Sequence, residues 1–372
     1  MNTGTTSDLE TRRAVIRLSE RCEKPILKLT DDDYRANGLD YLLEQEGPAY
    51  HLNVKVFNHL QHTITGWPGG KPGADDTFRP ERANPAHKRI VVFSPHPDDD
   101  VISMGGTLRR LVEQGHEVHV AYETSGNIAV GDEDMMRYIL LMDAIAPDLG
   151  FNTVDYALAS KHVKQFVEGK DKMKPDSRVI RNIKTKIRQG EARLACGFAG
   201  VNPDNIHFLN LPFYETGTIE KGQLTRDDIA IVRNVLEEVQ PHMIFVAGDL
   251  ADPHGTHRTC TVAVLTAIGE LKGEKWLDDC NVWMYRGAWA EWPIEEIEMA
   301  VPMSPDELLL KRKTILKHQS QMENAPFLGD DSRLFWQRAE DRNRATALRY
   351  DHLGLTSYEA IEAFVKWNGQ PV

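Results

Sequence analysis

Lys88-Arg89-Ile90-Val91-Val92-Phe93-Ser94-Pro95-His96-Pro97-Asp98-Asp99-Asp100 is the stretch on which the fold turns. Residues 90–94 read as a short buried strand, β-branched and bounded by a turn. Pro-His-Pro-Asp-Asp-Asp follows with no apolar side chain to bury, and residues 101–115 then take helical spacing up to a Gly stop signal. Strand, loop and helix in that order put one imidazole and three carboxylates at the carboxyl end of a strand, where open α/β sheets bind ligands. Imidazole and carboxylate three residues apart suit a divalent metal. The acid between them is a candidate proton acceptor. The plainer alternative is an acidic turn with Asp100 as N-cap of the following helix.

A second stretch repeats the pattern. Met243-Ile244-Phe245-Val246-Ala247-Gly248 reads as a buried strand and runs into Asp249-Leu250-Ala251-Asp252-Pro253-His254-Gly255-Thr256-His257 before a helix near Arg258. An isolated H-x-x-H is a weak signal. Two loops of the same chemistry, each after a strand, can converge on one crevice.

Outward from these loops, strands are expected at 90–94, 117–123, 206–211, 243–248 and 282–285, and helices at 101–114, 133–146, 177–198, 226–239 and 258–271. That alternation predicts an α/β protein with a Rossmann-like, mostly parallel sheet flanked by helices. Residues 9–60 read as a polar helical extension, with single apolar faces over 9–18 and 34–46, and Trp67-Pro68-Gly69-Gly70-Lys71-Pro72-Gly73 interrupts regular structure. The expected division is therefore an extension and linker over 1–85 and a main domain over 86–372. No G-x-G-x-x-G follows the first strand, since Gly105-Gly106 falls inside the helix pattern, so a dinucleotide site is not expected.

Composition narrows the function further. A net charge of -12 argues against general nucleic-acid binding, which needs a basic face. No apolar run is long enough to span a membrane, and the first residues carry no signal-peptide pattern. The four cysteines, Cys22, Cys196, Cys260 and Cys280, form no C-x-x-C pair, which fits a reducing, cytoplasmic setting. Between Lys161 and Arg193 basic residues outnumber acids, either as a solvated face or as a wall for an anionic substrate. Met135, Met136 and Met142 fit packing at helical spacing, as do Trp283, Trp289 and Trp292, although the tryptophans also suit a sugar site.

With both loops in view, the chain resembles the PIG-L/LmbE-like family of zinc-dependent N-deacetylases, which act on N-acetylglucosamine-type substrates. Pro95-His96-Pro97-Asp98-Asp99 matches the family's (A/P)-H-P-D-D, and His254-Gly255-Thr256-His257 matches its later His-x-x-His. Arg188-Gln189-Gly190-Glu191-Ala192-Arg193 is similar to the family's helix of Arg, Glu and Ala, and His318-Gln319-Ser320-Gln321 to its late H-x-S-Q element. The likeness covers about residues 88–321. A narrower one, carried by the N-terminal segment and the Gly66–Pro72 run, is to the LmbE-like half of bacterial glucosamine-6-phosphate deaminase fusion proteins. This chain shows no deaminase domain, so that activity is not carried over.

The resemblance implies a mononuclear site in which His96, Asp99 and His257 hold Zn²⁺, with Fe²⁺ or another divalent metal able to use the same ligands. It implies Asp98 as general base and His254 as the group that stabilises the oxyanion. Asp100 stands where the family often has Glu. Gly255 and Thr256 stand where some relatives keep an acid, which leaves Asp252 or Asp249 to orient His254. Arg188 and His318 join these acids as candidates for contacts behind the ligands or with substrate. The expected reaction is removal of an N-acetyl group from an amino sugar, its phosphate or a conjugate. The alternatives are hydrolysis of another amide conjugate, or a non-catalytic sugar-phosphate sensor or scaffold that keeps the metal. The implied partner is a small amino sugar, and a homo-oligomer is compatible with the sequence.

Overall fold

β1 (Arg89–Ser94) pairs in parallel with β2 (Glu117–Tyr122), which pairs in parallel with β3 (Ile206–Phe208). On its other side β1 pairs in parallel with β4 (Met243–Ala247), and β4 with β5 (Asn281–Tyr285). β6 (Met299–Met303) and β7 (Ala360–Lys366) complete the sheet, β7 running antiparallel to both β5 and β6. The strand order is β3-β2-β1-β4-β5-β7-β6. The order reverses between β1 and β4, so the loops leaving those two strands open side by side. The computed structural model describes residues 6–73, 85–151, 153–169, 175–216, 218, 220–250, 255–287, 290–322 and 333–370.

Alternation along the strands explains why both faces are covered. Val91, Phe93, Ile244 and Val246 point into one buried cluster, while Ile90, Val92, Met243 and Phe245 point into the other. Each such side chain contributes about 1.5–3 kcal/mol by leaving water, which makes a one-residue register slip prohibitive.

The N-terminal segment folds as α1 (Asp8–Cys22), α2 (Asp31–Ala36), α3 (Asp40–Glu46) and α4 (Ala49–Thr63). The apolar pattern over 34–46 breaks into two helices at Asn37-Gly38, where Gly38 takes a left-handed φ of 72°. Ser7 and Thr30 close capping boxes on α1 and α2, each worth about 1 kcal/mol. Val15, Ile16, Tyr34, Leu52, Val56 and Leu60 lie in the same buried cluster as Ile244 and Val246, so this segment completes the core. Thr63 Oγ1 lies 2.9 Å from the Tyr350 hydroxyl, and Thr65 N–H donates to the Ala300 carbonyl at 2.9 Å.

The remaining helices are α5 (Asp99–Glu113), α6 (Asp132–Ile145), α7 (Thr153–Glu168), α8 (Arg178–Ala199), α9 (Arg226–Val239), α10 (Thr256–Glu270), α11 (Lys275–Asp278), α12 (Pro305–Ile315) and α13 (Phe335–His352). α5 and α8 pack with one strand face, α9 and α10 with the other. Met135 is fully buried with Met136 packed beside it, and Met142 is half-buried. Trp283 and Trp292 are core residues, while Trp289 lies outside the described residues. None of the four cysteines is in a disulfide, and no described helix is long and apolar enough to cross a membrane.

His116 ties the Gly-rich run to the main sheet. A Cβ on Gly69 would stand 2.2 Å from His116 Nε2, so only glycine permits the approach. His116 Nδ1 accepts the Lys88 N–H at 3.1 Å, just before β1. Burial, with the charges of Lys88 and His87, lowers its pKa from the ordinary 6.5 to about 4. The unfolded chain therefore takes up a proton first, and stability falls as pH drops from 6.5 toward 4. His116→Asn keeps an acceptor without that proton. Its melting temperature is expected to fall less than the wild type's between pH 7 and pH 5, and parallel curves would refute the assignment.

Candidate metal centre at the sheet switch point

His96, in the loop after β1, and Asp99, the first residue of α5, face each other because Pro95 and Pro97 tighten the turn between strand and helix. Asp99 Oδ2 accepts the His96 backbone N–H at 2.9 Å and lies 3.0 Å from His96 Nδ1. His257, the second residue of α10, brings Nε2 to 3.2 Å from the same oxygen. One ligand atom from each of the three side chains lies within 4.8 Å of the others. Atoms about 2.1 Å from a tetrahedral ion stand roughly 3.4 Å apart, so the donor set fits a divalent metal with little adjustment. Asp99 and His257 are buried, and His96 is partly open to solvent. Burial opposes the Asp99 carboxylate, but His257 and His96 outweigh it and hold its pKa well below the usual value.

Asp98 sits one residue before the helix with an extended φ of -177° and makes no side-chain cap bond. Its carboxylate turns instead to Arg188 on α8, Oδ1 to Nη2 at 3.2 Å. Burial and the neighbouring Asp99 raise the Asp98 pKa against the pull of Arg188 and His96. Arg188 is 1% exposed, and its Nε and Nη1 have no hydrogen-bond partner among the described residues. Gly126, at a φ of 61°, allows the loop after β2 to close here. A Cβ on it would lie 2.9 Å from Pro97 and 3.0 Å from Arg188 Nε.

Asp100 does not cap α5. The helix begins at Asp99, and Asp100 turns down to the sheet, accepting from the Tyr122 hydroxyl at 3.0 Å and donating its N–H to Ser94 Oγ at 3.0 Å. Burial raises its pKa to about 7. It braces the turn from behind, its hydrogen bonds going to Ser94 and Tyr122 and not to the His-Asp-His side chains. Asp249 is buried at the end of β4, where its charge acts on Arg342. Asp252 and His254 lie outside the described residues.

The two weaker motif stretches meet. Glu191 on α8 accepts the Ser320 N–H and hydroxyl, both at 2.7 Å, which fixes the segment carrying His318. His318 is fully buried, and neither ring nitrogen has a partner among the described residues. Burial, reinforced by Arg188, pushes its pKa well below 6.5 despite Asp99, so its ring is neutral. Arg188, beside Asp98, and His318, near Arg188 and Asp99, thus have polar atoms unengaged among the described residues, as a site for water or substrate requires. Part of the basic stretch is spent internally: Lys184 pairs with Asp132 and Asp176, Lys164 with Asp143 and Arg188 with Asp98.

Three residues around the His-Asp-His group carry no motif in the sequence. Glu123 directly follows β2, is 1% exposed, and has a pKa raised to about 8 by burial. Tyr214, in the loop after β3, stands edge-on to His96 with ring centres 6.0 Å apart. Lys221 lies over the Tyr214 ring at 4.0 Å. The parallel sheet order alone brings their loops to the His-Asp-His group.

Fold and site together define an α/β protein with a His-Asp-His donor set, fit for a divalent metal, at the switch point of its sheet. Residues 91–268 match the family described as PIG-L: GlcNAc-PI de-N-acetylase. A protein of Bacteroides thetaiotaomicron named as glucosamine-6-phosphate deaminase-like is 62% identical over 365 residues, covering 96% of this chain and 54% of that protein. The chain thus spans about half the length of this curated relative. Among solved structures, N,N'-diacetylchitobiose deacetylase from Pyrococcus horikoshii is 19% identical, with a TM-score of 0.49 over 79% of this chain and 88% of that one. The 4-carboxy-2-hydroxymuconate hydratase GalB of Pseudomonas putida is 14% identical, with a TM-score of 0.47 over 77% and 98%.

Proposed function

We propose that this chain is a metal-dependent N-deacetylase that removes an acetyl group from an amino sugar, its phosphate or a conjugate. The observation that carries the reading is a buried carboxylate, Asp98, placed beside a His-Asp-His donor set within the stretch that matches the PIG-L family. A pure binding site has no need of a base at that position. His96, Asp99 and His257 would hold Zn²⁺, or Fe²⁺ on the same ligands. When bound, the cation supplies a Lewis acid that polarises the amide carbonyl and acidifies water.

The protein's own groups divide the remaining work. Asp98 takes a proton as water adds to the carbonyl carbon, its burial and the nearby Asp99 favouring the protonated form. Arg188 holds that carboxylate in place through Oδ1. The C–N bond breaks as Asp98 returns the proton to the amine nitrogen, giving acetate and a free amino sugar. His254 is proposed to stabilise the oxyanion, oriented by Asp252 or Asp249. The neutral His318 and the free edge of Arg188 are proposed to face substrate or its water. We place this chemistry in the cytoplasm and expect self-association, which the exposed Tyr138, Leu140 and Leu141 of α6 would favour.

The test joins metal analysis to acetate release from a panel of N-acetyl sugars, their phosphates and other acetylated amines. One divalent ion per chain with turnover of an amino sugar supports the reading. Asp99→Ala and His257→Ala are each expected to weaken metal binding by more than about 100-fold, beyond the cost of losing an outer partner. Metal bound with no turnover of any amide would favour the sensor alternative. Absence of metal after reconstitution would sink the mechanism.

A further inference from the structure

Lys221 stands out among the cations near the crevice. Its loop is held firmly: Gly222 N–H donates to the Phe213 carbonyl at 2.7 Å, and Phe213 N–H donates to Asp228 Oδ1 at 2.9 Å. Asp228, at the start of α9, is itself buried and bound to Thr225 N–H at 2.8 Å. A side chain at 222 would press on the Phe213 backbone, its Cβ 3.3 Å from the carbonyl oxygen. The ammonium lies 4.0 Å above the centre of the Tyr214 ring, a geometry in which the ring face attracts a cation. Tyr214 is 3% exposed and meets His96 edge to face at 6.0 Å.

Lys184, Lys164 and Lys311 each reach a carboxylate of the chain. Among the described residues Lys221 makes no ion pair, although it is half-buried. Burial lowers its pKa to about 8 against the attraction of Glu215. A partly desolvated ammonium that stays largely protonated at neutral pH is a receptor for an anion brought from outside.

We propose that Lys221 determines specificity by receiving an anionic group, phosphate or carboxylate, carried on the same amino sugar whose amide lies at His96, Asp99 and His257. The proposal rests on the deacetylase reading for which end of the sugar faces the metal group. The two contacts of 6.0 Å and 4.0 Å bound the distance from Lys221 Nζ to the His96 ring centre by their sum. That is the span of one sugar ring with its substituent, not of a remote conjugate. The stretch 161–193, which sequence alone offered as an anionic-substrate wall, has Lys164, Lys184 and Arg188 occupied by the chain's own acids.

The test is calorimetric binding of deacetylated sugars to the metal-loaded chain: glucosamine, its 6-phosphate, its 1-phosphate and its uronic acid. Wild type is expected to bind at least one anionic sugar about tenfold or more tighter than glucosamine. Lys221→Met is expected to erase that ratio while leaving glucosamine affinity within about twofold, and Lys221→Arg to restore it. The phosphate and uronate arms identify which anion is recognised. With the acetylated forms, Lys221→Met raises KM for the anionic sugar and leaves kcat unchanged. Wild type without preference for any of the anionic sugars, or a preference that survives Lys221→Met, overturns the proposal. Failure to release acetate from every substrate overturns the deacetylase reading alone, because the binding ratios are read without turnover.

Discussion

Asp98→Asn is expected to hold as much divalent metal as the wild type and to lose about 10²–10⁴ in kcat, the usual contribution of a positioned general base. That loss corresponds to roughly 3–5 kcal/mol of transition-state stabilisation. The side chain is nearly isosteric, and Arg188 Nη2 at 3.2 Å can still donate to its amide oxygen, so the turn should persist. Asparagine cannot take a proton from water. Because Asp99, not Asp98, bridges toward His96 and His257, the metal content should not follow the activity. Metal analysis and acetate release on the same preparation read both quantities. If metal and turnover fall together, Asp98 is a ligand and the division between these adjacent acids is wrong. A loss under tenfold would move the base elsewhere, with Glu123 the next buried carboxylate to test.

The division between adjacent acids shows what could be read from sequence. Strand, loop and helix around residues 88–115 are legible because a β-branched run, a Pro-rich turn and a helical period follow each other without ambiguity. All five parallel strands were expected, and they end at nearly the expected residues. β3 stops at Phe208, earlier than expected, because Asn210 takes a positive φ of 47° just before Pro212.

β6 and β7 were not expected. β6 contains Pro302, which lacks a ladder donor and is tolerated because β6 is an edge strand. β7 places a fully buried glutamate, Glu362, in its middle, so it does not read as a core strand. The plainer alternative puts the cap at Asp100, two positions late, because the helix begins at Asp99 with Asp98 in the cap position. Tyr214, Lys221 and Glu123 carry no local signal. Their importance comes from which strand ends lie side by side, a property of topology rather than of any short stretch.

Glu362 supplies the other large expected effect. α5 is not continuous: Met104 leaves helical geometry at φ -138° and ψ 28°, so a new helical start follows it with N–H groups lacking partners inside the helix. Glu362 reaches across from β7 and accepts Gly106 N–H at 3.0 Å, Thr107 N–H at 2.6 Å and the Thr107 hydroxyl at 2.6 Å. It therefore caps the second half of α5, where a negative charge also meets the positive end of the helix. Lys311 on α12 balances that charge at 2.7 Å and donates to Asn343 Oδ1 at 2.8 Å, and both charged side chains are wholly buried. Removing either partner leaves an uncompensated charge in the core, so Lys311→Met and Glu362→Gln should each cost about 3–5 kcal/mol. That is a large share of the roughly 5–15 kcal/mol that holds a folded domain. The double variant should cost less than the two singles together, because neither charge is then stranded. Urea denaturation of the four proteins gives the coupling directly. A coupling near zero, with singles under about 1 kcal/mol, would mean that the break at Met104 is held by packing against Met303 and its neighbours and not by the charge pair.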